Sequence, residues 1–199
     1  MSLEIINNPI LVMLQDKGRY GYSDIGVTNS GVMDEYAYYA ANKMLGNSFD
    51  TNILEIAFSN VIFKANAPTQ IAITGAICEL FINDISKQCW QTHNVKAGDI
   101  IKIGKILKGI RVYLGVLGGF DIKKEFGSNS TTIKENLGGL NGDKLKKGDI
   151  LAFKEISCSF DARFKKELIP SYEDELILRV VLSYQSDLFA NAEKKKFFS

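Results

Sequence analysis

The stretch Gln15-Asp16-Lys17-Gly18-Arg19-Tyr20-Gly21 puts a carboxylate and a guanidinium into one glycine-punctuated loop. The planar fork of an arginine can grip a carboxylate or a phosphate through two parallel hydrogen bonds, and a neighbouring carboxylate can orient a nucleophile. The same residues can instead form an internal Asp16 to Arg19 pair that only pins the loop, and both readings stand. Thr74-Gly75-Ala76 and Gly127-Ser128-Asn129-Ser130-Thr131 offer hydroxyls and bare amides to an anion, or are plain turns. Asp34 falls at the start of a helical pattern, where it can cap the helix and where the helix dipole favours its ionised form. Glu55 lies in the apolar run 53–58. Alternation puts Ile53, Glu55 and Ala57 on one face and Leu54, Ile56 and Phe58 on the other, so Glu55 is expected to face solvent unless it is inward and paired.

The elements that must position these groups are mostly strands. Apolar runs at 5–13, 53–58, 61–63, 70–74, 78–82, 100–103, 110–117, 150–153 and 176–182 are each bounded by Gly, Asn, Asp or Pro, which predicts an antiparallel sheet or barrel. One helix is predicted over 34–45, with Ala37, Ala40, Ala41, Met44 and Leu45 on its apolar face and Gly46 closing it. Val95-Lys96-Ala97-Gly98-Asp99-Ile100 and Leu145-Lys146-Lys147-Gly148-Asp149-Ile150 echo each other as strand-entry turns. The expected division is a β-barrel domain over 1–155 and a partial second segment over 156–199, richer in charge and ending in a helical tail.

The 199 residues are 46% hydrophobic and 24% charged, enough to bury a sizeable core. A net charge of +1 supplies no field that would draw the chain onto nucleic acid or an anionic membrane. Without a spanning stretch or a signal-peptide layout, the expected location is the cytoplasm. Cys78, Cys89 and Cys158 form no C-x-x-C pair and are odd in number, which argues against a disulfide framework or zinc site and reads as small buried hydrophobes. His93 is placed in a loop as an incidental surface residue, and no metal site is expected. Residues 98–105 only superficially resemble a phosphate loop, since Ile106 follows Lys105 where Ser or Thr is required.

The order Q-D-x-G-R-x-G, S-G-x-M-D, A-N-x-x-x-G-N and L-E, read from Gln15 through Ser30, Gly31, Asp34, Asn42 and Glu55, resembles the start of the allophanate hydrolase subunit 2 family. That family is biotin-dependent carboxyltransferase-like, and its best-known members are the C-type subunits of bacterial 5-oxoprolinase. Thr74-Gly75-Ala76, Ala97-Gly98-Asp99, Arg111-Val112-Tyr113-Leu114, Gly118-Gly119, Gly127 to Thr131 and Gly148-Asp149-Ile150 extend the resemblance in order. It implies a mainly β, cyclophilin-like antiparallel barrel with one or two short helices. It further implies a subunit that, with an A-type subunit and a KipI-like B-type subunit, cleaves 5-oxo-L-proline to L-glutamate using ATP and Mg²⁺ held in the complex.

Two alternatives follow from the same resemblance: a KipA-like regulator of a kinase inhibitor, or a carboxyltransferase-type subunit of urea or allophanate metabolism. A site acting on a small amide would draw on Asp16, Arg19 and Asp34 as catalytic groups. Gln15, Gly18, Ser30, Gly31, Asn42, Glu55, Thr74, Gly75, Ser128, Ser130 and Thr131 would bind substrate or phosphate. The sequence departs from the family pattern at Tyr20 and Asn29, where proline is usual, and at Asn129, where arginine is usual. The family continues into a second β-domain, so the chain reads as a fragment, a truncated product or a short member.

Overall fold

The computed structural model describes all residues except Ser59, Ser157, Cys158, Asp174, Leu176 and Ser199. Among the described residues, nine antiparallel strands form one curled sheet: β1 (Ser2–Ile5), β2 (Leu11–Gln15), β3 (Ile53–Ala57), β4 (Val61–Ala65), β5 (Thr69–Ile82), β6 (Ile85–Lys87), β7 (Gln91–Val95), β8 (Ile100–Val116) and β9 (Ile150–Ala152). Their order is β2-β3-β8-β4-β1-β9, with β5 pairing β6, β7 and β8. This is a mainly β, cyclophilin-like architecture. Helix α1 (Glu35–Met44) packs on the sheet, and a second helix, α2 (Asn191–Phe197), lies in the tail.

The spine is β8. Its C-terminal half pairs β3 and its N-terminal half pairs β4, while β5 runs along the other edge. Sequence reading splits β5 and β8 in two because Gly75 and residues 104–109 break the apolar pattern. In the structure those breaks are register shifts inside continuous strands, which let a long hairpin bend without losing its ladder. Conversely, the run 5–13 is two strands, because Asn7-Asn8-Pro9 interrupts it and proline has no N–H for a ladder. Strands β6 and β7 escape the sequence reading altogether. The predicted strand at 176–182 does not form over 177–182: Ile177 and Val181 are 96% and 97% exposed, with no described strand beside them. Leu176 itself lies outside the described residues.

Both faces of the sheet are covered near β3. One face contributes Leu54, Ile56, Ile73, Val112 and Leu114 to the interior of the curl. The opposite face packs Ile53, Ala72 and Tyr113 under Ala37, Tyr38 and Ala41 of α1 and Leu45 at its C-cap. The predicted apolar face of the helix is therefore the buried one. Small side chains on it allow close approach, and at Gly115 an added Cβ would stand 3.0 Å from Leu45. The Asp34 side chain accepts from the Ala37 N–H at 2.9 Å and caps the helix as its position predicts. At the two echoed turns, Asp99 and Asp149 accept from the N–H of Lys96 and Lys146, so both are strand-entry turns.

His93 is not a surface loop residue. It lies in β7, 9% exposed, with Nε2 2.8 Å from the Gln88 carbonyl. Burial holds its imidazole below the usual 6.5, the Gln88 carbonyl working in the opposite direction. Below about pH 6.5 the unfolded chain therefore binds more protons than the folded one, and stability falls as pH drops toward the folded value. Thermal melting followed from about pH 7 to about pH 5.5 should show a steeper loss for the parent chain than for His93→Gln. Identical slopes would contradict this.

Candidate functional site

Two polar clusters sit on either side of the loop 28–34. The first is closed. Asp16, at the end of β2, is 2% exposed, and its carboxylate takes four donors. The Gly18 N–H reaches Oδ1 at 2.8 Å, the Ser128 and Ser130 hydroxyls reach it at 2.6 Å each, and the Asn129 N–H reaches Oδ2 at 2.6 Å. The Asp16 N–H in turn donates to Ser130 Oγ at 2.9 Å. Segment 128–132 is thereby bound to the first loop, with Thr131 N–H and Oγ1 both on the Leu14 carbonyl and Gln15 Nε2 on the Thr131 carbonyl.

Arg19 does not pair with Asp16. It is 1% exposed, donating from Nη1 to Thr132 Oγ1 at 2.6 Å and from Nη2 to the Ser130 carbonyl, with Nε left without a partner among the described residues. The pinned-loop reading is thus right in kind and wrong in partner: both charges are fixed by segment 128–132. Backbone bonds from Arg19 N–H to the Asn29 carbonyl and from Val32 N–H to the Asp16 carbonyl zip the first loop to the second. Gly18 and Gly31 make this approach possible, since a Cβ on Gly18 would lie 2.7 Å from the Ser30 carbonyl oxygen and both residues have φ near +100°. Ser30 donates to the Thr131 carbonyl at 2.9 Å.

The second cluster opens to solvent. Glu55 is buried, not solvent-facing: alternation assigns its face correctly, but that face is the one covered by α1 and the preceding loop. Its Oε1 pairs with Arg111 Nε at 3.1 Å, and its Oε2 accepts from the Met33 N–H and the Tyr113 hydroxyl at 2.9 Å each. The Tyr113 hydroxyl accepts from the Asp34 N–H at 2.8 Å, and Tyr172 donates to Asp34 Oδ2 at 2.7 Å. Burial first, then the adjacent carboxylate, pushes both phenols well above their ordinary range, so each serves as a fixed donor. A pocket of about 410 Å³ opens between Met33–Asp34, residues 109–111 and residues 172–173. The Arg111 side chain is 29% exposed there, and its terminal nitrogens make no hydrogen bond among the described residues.

The remaining candidates fall outside this pocket. Asn42 holds the turn after α1 through the Thr51 carbonyl and Asn47, and Thr74 Oγ1 donates to the Ala37 carbonyl at 2.7 Å. The Gly75 carbonyl accepts from the Trp90 indole at 3.1 Å. Sequence reading missed Arg111, Tyr113 and Tyr172 as site residues. The first two had a signal: with β3 and β8 antiparallel, Glu55 pairs with Tyr113 and Ala57 with Arg111, which places the three polar groups on one face.

Residues 25–199 match the carboxyltransferase domain, subdomain A and B. The chain belongs to that family. It is 35% identical over 194 residues to urea amidolyase of Saccharomyces cerevisiae, covering 92% of this chain and 10% of that protein. It is also 33% identical over 168 residues to the C-type subunit of 5-oxoprolinase from Escherichia coli, covering 84% of this chain and 54% of that subunit. The crystal structure of K. lactis urea amidolyase superposes with a TM-score of 0.79 at 34% identity, over 86% of this chain and 11% of that one. The chain therefore spans about half of the bacterial subunit and a small part of the fungal proteins.

Removing the Asp16 carboxylate leaves its four donors without their acceptor. Asp16→Ala should lower unfolding free energy by about 3–5 kcal/mol, read from the urea midpoint. A loss within about 0.5 kcal/mol would contradict the clamp.

Proposed function

We propose that this chain is a subunit of a 5-oxoprolinase-type enzyme and supplies the pocket that holds the carboxylate of a small lactam. The observation that carries the reading is Arg111. Glu55 fixes one edge of its guanidinium, and among the described residues the rest is left unbonded at an open pocket, a pre-set fork for a carboxylate. Such a group also carries an entropic advantage, because the arginine is ordered before the ligand arrives.

Within this chain the pocket is suited to binding and not to chemistry. Both oxygens of Glu55 and both of Asp34 already accept hydrogen bonds, and the two phenols are held protonated. The nucleophile and the phosphate acceptor site are therefore assigned to partners, in line with the E. coli relative being named a subunit. An unactivated lactam is a poor electrophile, and transfer of a phosphoryl group from ATP to its oxygen creates the leaving group for ring opening. Among the described residues no three His, Cys, Asp or Glu converge, and Mg²⁺ is ordinarily carried by nucleotide phosphates with one or two carboxylates, so the ion is assigned to the nucleotide and the partner subunits. Asp16 and Arg19 take a structural part in this reading.

A second reading has urea or a urea derivative as substrate. It rests on the 35% identity to yeast urea amidolyase. A comparison of 5-oxoproline with urea decides between the two.

With the A-type and B-type partner subunits from the same source, phosphate release from ATP should rise on adding 5-oxo-L-proline only when this chain is present. Arg111→Ala should cut kcat/KM for 5-oxoproline by about 10–100-fold, mainly through KM, and Arg111→Lys should recover part of it. Unchanged kinetics in a folded Arg111→Ala variant would overturn the pocket assignment, and stimulation by urea alone would favour the second reading.

A further inference from the structure

Away from the Glu55 pocket, the short loop between β6 and β7 brings two cysteines together. Cys78 lies in β5, within the run of register shifts, and Cys89 lies in the loop, with the two Sγ atoms 3.5 Å apart. Both are half-buried free thiols packed against the core, as small hydrophobes would be, and they also face each other. The loop is pinned on both sides of Cys89. The Gln88 carbonyl meets His93 Nε2 at 2.8 Å, while Trp90 donates its N–H to the Ile73 carbonyl and its indole to the Gly75 carbonyl. The closeness of the sulfurs is thus set by the backbone of the sheet and not by two wandering side chains.

Cys89 also lines a cavity of about 560 Å³ that it shares with Arg163, Lys165, Lys166 and one carboxylate, Glu167. A small oxidant can reach it there. The hydrogen bond between the sulfurs acts in opposite senses on the two groups. It holds the Cys89 thiol below its ordinary value, burial opposing, and pushes the Cys78 thiol up, burial adding.

We infer that Cys89 and Cys78 form a peroxide-responsive thiol pair, Cys89 as the attacking sulfur and Cys78 as the resolving one. The Cys89 thiolate attacks one oxygen of hydrogen peroxide, the O–O bond breaks, and the departing hydroxide takes up a proton as water, leaving a sulfenic acid. The Cys78 sulfur then attacks the Cys89 sulfur; an S–S bond forms, the S–O bond breaks, and a second water leaves with the Cys78 proton. Two thiols give two electrons to one peroxide, and a dithiol reductant reverses the change. The sulfurs, now 3.5 Å apart, must close to about 2.05 Å, an approach of about 1.5 Å.

The oxidised bridge would tie the 88–90 loop to β5 on the side of the sheet where Gly75 and Ile77 pair with Val112 and Lys108 of β8.

The test treats the full chain and a Cys158→Ser variant with graded hydrogen peroxide, followed by non-reducing peptide mapping. The expected result is loss of two of the three thiols, with Cys78 and Cys89 peptides joined within one chain and released by dithiothreitol. In Cys78→Ser, dimedone should trap a sulfenic acid at Cys89; in Cys89→Ser, Cys78 should stay unreacted. Bridges between chains or to Cys158, or an unmodified Cys89 at peroxide levels that oxidise free cysteine, would overturn the inference. The parent chain alone decides these outcomes should a variant fail to fold.

Discussion

The buried charge of Asp16 is the constraint from which the rest of the polar architecture follows. A carboxylate taken out of water must have its lone pairs filled, and here segment 128–130 and Gly18 fill them. That requirement draws the loop after β8 onto the end of β2. The Asp16 carbonyl then takes the Val32 N–H, and the next residue along, Met33, gives its N–H to Glu55. Asp34 follows as the cap of α1. One satisfied charge thus fixes, through three consecutive residues, the start of the helix and one wall of the open pocket.

A sheet covered on both faces gives this arrangement its second property. Where β3 and β8 pass beneath α1, polar side chains on the helix-facing side cannot reach bulk water and must bond to one another. Glu55, Tyr113 and Arg111 do so, and Arg111 is the member that emerges at the pocket. The two arginines differ in what they leave free. Arg19 is enclosed and spends its terminal nitrogens on the protein, whereas among the described residues Arg111 spends only Nε and keeps its outer nitrogens unbonded.

Much of this was legible in the sequence because it rests on local rules. The strand content, the helix with its Asp34 cap and the Gly-Asp turns all follow from periodicity and turn chemistry. What was not legible depends on what lies across the sheet. The alternation around Glu55 gives its face but not the fact that α1 covers that face. Arg19 and Asp16 are close in sequence, which invites a pairing that a loop more than a hundred residues away pre-empts. His93 and Cys89 needed β6 and β7, strands too short and too polar to stand out from their flanks.

The division of labour between an enclosed clamp and an open fork can be measured directly. Phenylglyoxal modifies accessible arginines, and mapping the reconstituted complex of this chain with its two partner subunits would score Arg19 and Arg111 separately. Arg111 should react and be protected by saturating 5-oxoproline, while Arg19 stays unmodified in the folded chain. Equal modification of Arg111 with and without substrate in a complex that turns over, or substrate-dependent protection at Arg19, would contradict the assignment.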